Sequence, residues 1–368
     1  MPNSAWYRTL DLLAKSAVVG LALAFVIVFF RPDLLSQRDG ADSWAQAVDR
    51  SAPSVVNIHT ATEVDTPRSD ILPDELWQRF FADVPGLHQE RIESSLGSGV
   101  IVSEEGHILT SHHVIADADE IRVALHDDQI AGADIVGVDP ETDLALLRIE
   151  GENLPAIEFG SSDRIRVGDV VLAIGNPVGL GQAVTQGIVS ATGRSQLGIT
   201  TFENFIQTDA AINFGNSGGA LVDTRGRLVG INTAMLAGEN TGQGLGFAIP
   251  VNLARGVKAE LIEHGRVIRG YLGVSPQNIT RELAESFGMA EARGVLVVQV
   301  QTGSPAEEAD MEAGDVILEV DGNSVSDPYD LLNKIAALRP GDRAELTVWR
   351  NGETLSISVI IGERRVSG

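Results

Sequence analysis

Cysteine is absent from the 368 residues. That excludes disulfides, thiol catalysis and Cys-based zinc sites, and leaves the redox compartment open. Cationic excess is absent too: 27 Lys and Arg stand against 51 Asp and Glu, a formal net charge of −24. Phosphate binding needs a basic face, so nucleic acid is excluded as a partner. No tract of like charges marks an acidic tail, and the charge is spread over a soluble surface. No motif supports a metal or an organic cofactor. The apolar, uncharged run near the N-terminus, Ser16–Phe30, holds fifteen residues, short of the ~20 that usually span a bilayer.

That run is nevertheless extended by Leu10, Leu12, Leu13 and Ala14, and Lys15 can snorkel toward headgroups. It predicts a signal anchor spanning about residues 12–31 and a polar tether to residue 46. A cleaved signal peptide is the rival reading. The nearest A-x-A, Ala45-Gln46-Ala47, lies well past the apolar run. Arg8 and Lys15 precede the span, and Asp33 and Asp39 dilute Arg31 and Arg38 after it. This favours the N-terminus inside and the body outside.

Beyond the tether, hydrophobic residues make up 43% of the chain and glycines number 39, enough for real cores in a turn-rich, β-rich protein. Strands are expected at Ser54–Thr60, Gly97–Val102, His107–Thr110, Ile121–Leu125, Ala131–Val138, Asp143–Ile149, Gly168–Gly175, Val184–Thr192, Asn204–Thr208, Ala220–Asp223, Leu228–Ala234 and Gly246–Ile249. Short strands punctuated by Gly, Asp and Pro predict a closed or double-barrel β architecture. Ala61–Ser95 reads as a long irregular insert with a short amphipathic piece at Asp74–Phe81. Pro250 opens a helix that ends at Gly265. From Arg269 the pattern turns to mixed α and β: a strand at Tyr271–Ser275, a helix at Asp327–Leu338, and a hairpin about Asn351-Gly352. The domains expected are 1–46, 47–264 and 265–368.

Chemistry centres on Gly215-Asn216-Ser217-Gly218-Gly219. Flanking glycines let the backbone turn sharply, aim N–H groups at a developing oxyanion and present a hydroxyl beside them. The alternative is a Gly-rich hairpin with an ordinary surface serine. A nucleophilic serine needs a base and an acid that orients the base. Of seven histidines, His59, His88, His107, His126 and His264 sit singly and read as structural. His112-His113 follows a strand end. Asp143 opens an apolar strand, where a half-buried carboxylate needs a hydrogen-bond partner that an imidazole supplies. Asp134 and Asp139 read as structural. The order His113, Asp143, Ser217 is that of the chymotrypsin-type triad.

The motifs T-S-H-H-V-I, D-P-E-T-D-L-A-L-L, Q-T-D-A-A-I-N-F-G-N-S-G-G-A-L-V and R-G-Y-L-G-V resemble those of the HtrA family of serine proteases, and within it the DegS-type membrane-anchored envelope stress sensors. The likeness runs from about residue 48 to the C-terminus. It implies two β-barrels and one α+β PDZ domain, with His113, Asp143 and Ser217 as catalytic residues. The backbone of Gly215, Asn216 and Ser217 would form the oxyanion hole. The family usually has Asn where His112 stands. The pattern G-S-P-A-E-E-A-D-M-E-A-G-D-V-I supports the PDZ assignment. A PDZ domain adds a peptide C-terminus as a strand beside its own edge strand, the carboxylate meeting backbone N–H groups; Tyr271, Leu272, Gly273 and Val274 match that loop. Arg194, in a loop reaching to Asn204, matches the residue that reports PDZ occupancy. A trypsin-like specificity Asp is missing. Its position is Ala211, with Ile212 next, so a small or medium aliphatic side chain is expected at the cut.

The resemblance further implies a homotrimer on the outer face of the bacterial inner membrane. C-terminal peptides of misfolded outer-membrane proteins would activate it, and a membrane-bound regulator such as an anti-sigma factor would be its substrate. A general quality-control protease and a non-catalytic PDZ adaptor are the other readings.

Overall fold

The computed structural model describes residues 15–22, 25, 43–63, 92–176, 182–213, 215–235 and 245–364. The chain divides into two units, Met1–Ala45 and Gln46–Gly368. In the first, residues 15–22 and 25 are helical. Among the described residues no helix is long and apolar enough to cross a membrane. The rest of the expected span, the amphipathic piece 74–81 and Phe214 lie outside the described residues.

The second unit begins within helix α1 (Ala45–Ser51) and then builds two closed antiparallel barrels. The first comprises β1 (Val55–Glu63), β2 (Ile92–Ile101), β3 (His107–Ser111), β4 (Glu120–Ala124), β5 (Ile130–Asp139) and β6 (Leu144–Ile149), in the order β1-β2-β3-β6-β5-β4. The second comprises β7 (Val170–Gly175), β8 (Ala183–Arg194), β9 (Phe205–Thr208), β10 (Ala220–Asp223), β11 (Leu228–Met235) and β12 (Gly246–Pro250), in the order β10-β11-β12-β9-β8-β7. Alternate residues face inward, so Ile58, Ile101, Ile108, Val123 and Leu147 fill one core and Val171, Ala173, Ile206, Leu221 and Ala248 the other. Each large aliphatic side chain so buried contributes roughly 1.5–3 kcal/mol. A one-turn helix, α2 (His112–Ile115), follows β3, and α3 (Val251–His264) ends on Gly265 in the left-handed conformation.

Two expectations for the barrels need correction. The insert expected over 61–95 is shorter, because β1 and β2 continue as a ladder: Ala61 pairs with Ser94, Thr62 with Glu93 and Glu63 with Ile92. These residues are too polar to show an apolar alternation, yet backbone pairing in a hairpin needs no buried face. Arg194 does not lie in a loop. Strand β8 runs through it and pairs Arg194 with Phe205. Two register shifts, between Val189 and Ala191 and between Ala191 and Arg194, absorb the turn-like Ser190-Ala191-Thr192-Gly193 within the strand.

The C-terminal domain has the path β14 (Val274–Asn278), β15 (Val295–Val300), β16 (Val316–Val320), β18 (Arg343–Arg350) and β19 (Glu353–Ile360); β17 (Asn323–Ser324) pairs with β16. A two-stranded ribbon joins β13 (Gly270–Tyr271) to β20 (Gly362–Glu363). Helices α4 (Arg281–Ser286), α5 (Pro305–Glu308) and α6 (Pro328–Ala336) complete it. Asp327 caps α6 by accepting from the N–H groups of Tyr329 and Asp330. The strand expected at Tyr271–Ser275 is in fact broken, since Leu272-Gly273 forms a loop between β13 and β14 with Gly273 at φ +86°.

Candidate active site

The three residues of the expected triad come from both barrels. His113 lies in α2, and Asp143 immediately precedes β6. Ser217 sits in the turn that enters β10 of the second barrel. The ring Nδ1 of His113 stands 2.8 Å from Asp143 Oδ2 and 3.0 Å from Oδ1. The His113 N–H donates to Oδ1 at 3.0 Å, and the N–H of His112 donates to the Asp143 carbonyl at 3.0 Å. Of the adjacent histidines it is therefore His113 whose ring meets the carboxylate. Asp143 itself has φ +59°, a left-handed conformation that Asp tolerates better than most residues and that is typical of functional sites.

A further partner comes from the second barrel: the Thr233 hydroxyl donates to Asp143 Oδ2 at 2.6 Å. Burial pushes the Asp143 carboxyl up. The hydrogen bonds from the His113 ring, the Thr233 hydroxyl and the His113 amide, with the charge of the imidazolium, outweigh it and hold the carboxyl below its ordinary value. Ser217 donates its hydroxyl to the Thr233 carbonyl at 2.8 Å. Among the described residues that is its side-chain hydrogen bond; it is not made to His113.

The nucleophile turn packs tightly on the first barrel. Gly218 has φ +81°, and a Cβ there would stand 2.1 Å from the Ser98 carbonyl oxygen, so only glycine fits. Gly215 also has positive φ, +92°. The Asn216 N–H, expected among the oxyanion donors, is tied to the Asn213 carbonyl at 3.0 Å within the turn. Among the described residues, Asn216 Oδ1 is buried without a hydrogen-bond partner. Ala211 is exposed, and its carbonyl accepts from Thr185 Oγ1 at 2.8 Å. Ile212 is 3% exposed and packs in the core of the second barrel.

In the C-terminal domain the Leu272 carbonyl accepts from the Ala306 N–H, and the Gly273 carbonyl from the Gln301 N–H, each at 2.9 Å. The Tyr271 hydroxyl is hydrogen-bonded to Gln301 Oε1. These bonds fix Tyr271-Leu272-Gly273-Val274 at the head of β14. That strand ends the sheet order and packs beside α6. Arg194 Nε donates to Gln207 Oε1 at 2.8 Å, a contact within the second barrel.

Sequence reading missed the residues that join these parts. Arg269, one residue before β13, is buried. It donates to both Asp139 carboxylate oxygens, at 2.8 and 2.5 Å, and to Glu141 at 3.4 Å. Arg364 Nε donates to Glu141 Oε1 at 2.7 Å. Both guanidiniums lie over the ring of Phe202, with centroid distances of 4.4 and 5.5 Å. The buried Glu203 carboxylate accepts from the N–H groups of Leu197 and Ile199, each at 2.7 Å, and so shapes the 195–204 loop. One signal was present: a polar residue inside an apolar stretch, such as Ser98 in β2 or Thr233 in β11, needs a partner.

Comparison with known proteins agrees with this architecture. Residues 97–231 match the trypsin-like peptidase domain and residues 270–361 the PDZ domain. A solved structure of the HtrA-type protease AlgW with decapeptide is 48% identical with TM-score 0.76, over 88% of this chain and 100% of that one. The serine endoprotease from Yersinia pestis is 41% identical with TM-score 0.66, over 89% and 100%. A probable periplasmic serine endoprotease, DegP-like, of Chlamydia trachomatis is 46% identical over 295 residues; the match takes in 79% of this chain but 59% of that relative's length. A DegP-like relative from Ectopseudomonas mendocina is 40% identical over 354 residues, covering 92% and 74%.

Proposed function

The chain belongs to the HtrA family of serine proteases, and we propose that it is a periplasmic serine endopeptidase switched by peptides bound to its PDZ domain. The observation that carries the reading is the Asp143–His113 pair joined to Ser217 through Thr233, which touches both the acid and the nucleophile.

In this reading Ser217 Oγ turns from the Thr233 carbonyl toward His113, whose Nε2 takes its proton as Oγ attacks the scissile carbonyl carbon. Asp143 holds the imidazole in the tautomer with the proton on Nδ1 and stabilises the imidazolium. The backbone N–H groups of Gly215 and Ser217 receive the oxyanion, Asn216 being engaged in the turn. The tetrahedral intermediate collapses, His113 protonates the departing amine, and water then releases the acyl group by the same steps. Ala211, in place of an acid, favours an aliphatic side chain at the cut.

Regulation is assigned to Tyr271–Val274 and the groove between β14 and α6. A peptide C-terminus adds beside β14, and it acts only through a higher affinity for the active arrangement. The DegS-type assignment adds a homotrimer, an inner-membrane anchor over about residues 12–31, activation by C-termini of misfolded outer-membrane proteins, and a membrane-bound regulator such as an anti-sigma factor as substrate. Arg194 is the residue through which occupancy would reach the active site. The peptides bound in the AlgW structures support peptide recognition. The DegP-like names of the relatives favour a second reading, a general quality-control protease.

One assay separates them. The full chain in detergent is given an unstructured reporter with aliphatic cut sites, with and without peptides ending in hydrophobic residues, beside Ser217→Ala. Slow cleavage that rises steeply with particular peptides and vanishes in the variant supports the switched protease. Brisk cleavage indifferent to peptide supports quality control. No cleavage above the variant under any condition rejects both.

A further inference from the structure

Ser98 is fully buried in β2, between two glycines. A Cβ at Gly97 would stand 2.4 Å from Val114 and one at Gly99 2.6 Å from Ile108, so this segment is packed as closely as it can be. An alanine at position 98 would keep the strand ladder and leave out one oxygen atom, so what it removes is mainly the pair of hydrogen bonds that the hydroxyl makes.

All of its polar groups are committed. The hydroxyl donates to the Gly215 carbonyl at 2.6 Å and accepts the Asn176 N–H at 2.9 Å. The N–H donates to the Ser217 carbonyl at 2.9 Å, and the carbonyl accepts from Thr110 Oγ1 at 2.7 Å. Three of these partners belong to the second barrel.

The two bonds to the nucleophile turn have complements on the opposite side. The peptide that carries the Gly215 carbonyl carries the Asn216 N–H, which donates to Asn213 O at 3.0 Å. The peptide that carries the Ser217 carbonyl carries the Gly218 N–H, which donates to Asn232 O at 2.7 Å. Each peptide plane is gripped at both ends, and Ser98 supplies one end of each. Between and beside the two planes lie the N–H groups of Ser217 and Gly215. With both planes fixed, the Asn216–Ser217 peptide between them, and so the Ser217 N–H, is held; the Gly215 N–H adjoins the first plane at Gly215, whose φ is +92°.

We propose that Ser98 is a positioning residue: its hydroxyl sets the orientation of the Gly215–Asn216 peptide and thereby aligns the oxyanion donors of Gly215 and Ser217. It does not touch substrate. The inference rests on Ser217 being the nucleophile, so Ser217→Ala accompanies every measurement.

The test uses the full chain in detergent, an aliphatic peptide p-nitroanilide, and a peptidyl boronic acid that becomes tetrahedral on the serine. Ser98→Ala is expected to lower kcat about 10- to 100-fold, the scale of a misplaced catalytic group, with KM within about twofold. The boronic acid should weaken by the same factor as kcat/KM, a shift that a merely structural loss would not produce. Ser98→Thr and Ser98→Val have one shape and differ in the hydroxyl, so any strain from the added methyl is common to both and, once both are shown folded by circular dichroism, their rate ratio reads the hydroxyl. Thr is expected to be at least about tenfold faster than Val, the scale of one charge-independent hydrogen bond. Equal rates for Thr and Val, or an Ala variant with unchanged kcat while Ser217→Ala is inactive, would overturn the proposal. Activity surviving in Ser217→Ala would overturn the underlying reading instead.

Discussion

Thr233 donates its hydroxyl to Asp143 Oδ2 at 2.6 Å, from the second barrel to the first. Thr233 sits at a register shift in β11, between Asn232 and Ala234, and such a bulge re-aims a side chain. Its carbonyl meanwhile accepts the Ser217 hydroxyl at 2.8 Å. One residue thus ties the acid to the nucleophile across the barrel junction. Thr233→Val keeps the shape and removes the donor. A hydrogen bond to a charged group contributes about 1.5–3 kcal/mol, so kcat should fall about 10- to 100-fold with little change in KM. Steady-state kinetics on an aliphatic peptide substrate checks this; an unaltered kcat would dismiss Thr233 as an orienting group.

Asp143 governs the acid side of stability. Its folded carboxyl titrates below its ordinary value, so the unfolded chain binds that proton more readily than the folded one. The stabilisation is complete above the ordinary carboxylate value of ~3.9 and is lost as pH falls through the lower folded value. Denaturant unfolding across this window should show stability declining with acid more steeply in the parent than in Asp143→Asn. The same variant should lose about 10⁴-fold in kcat, because an amide no longer enforces the productive tautomer. Parallel pH curves for the two proteins would mean that Asp143 carries no such linkage.

Most of the barrel strands were legible as short apolar or alternating runs between Gly, Asp and Pro punctuation. His113, Asp143 and Ser217 could be named as candidates because their order along the chain is itself a signature, and the His113–Asp143 contact is the part of that set the structure brings together. What escaped were features that depend on register and long-range contact. The bulges that keep Arg194 in β8 resemble a turn in sequence. The pairing of Thr62 with Glu93 has no apolar pattern to reveal it. Arg269 and Asp139 stand 130 residues apart, and nothing local to either names its partner.

Gly273 makes the peptide loop testable. Its φ is +86°, and a Cβ there would stand 2.2 Å from the Ser304 Cβ. Gly273→Ala must move the loop or Ser304, and either displaces the N–H groups that would meet a terminal carboxylate. Affinity for a decapeptide with a hydrophobic C-terminus, measured by fluorescence anisotropy, should fall at least about tenfold, the effect of misplacing one charge-assisted hydrogen bond. Undiminished affinity would show that peptides dock elsewhere.

Arg269 links the two ends of the proposed switch. It precedes Gly270, where the ribbon leading into the peptide loop begins, and it holds Asp139, which opens the turn leading to Asp143. Both side chains are buried, at 8% and 3% exposure. Removing one member of such a pair strands the other charge, at a cost of about 3–5 kcal/mol. Arg269→Met should therefore destabilise the chain by about that amount, and adding Asp139→Asn should restore part of it, the signature of direct coupling. The contact joins the PDZ side to the turn before Asp143, so Arg269→Met should also change the peptide concentration needed for half-maximal cleavage. A variant destabilised as expected but with an unchanged peptide response would confine Arg269 to holding the domains together. It would leave Arg194 and the 195–204 loop as the route from the PDZ domain to the active site.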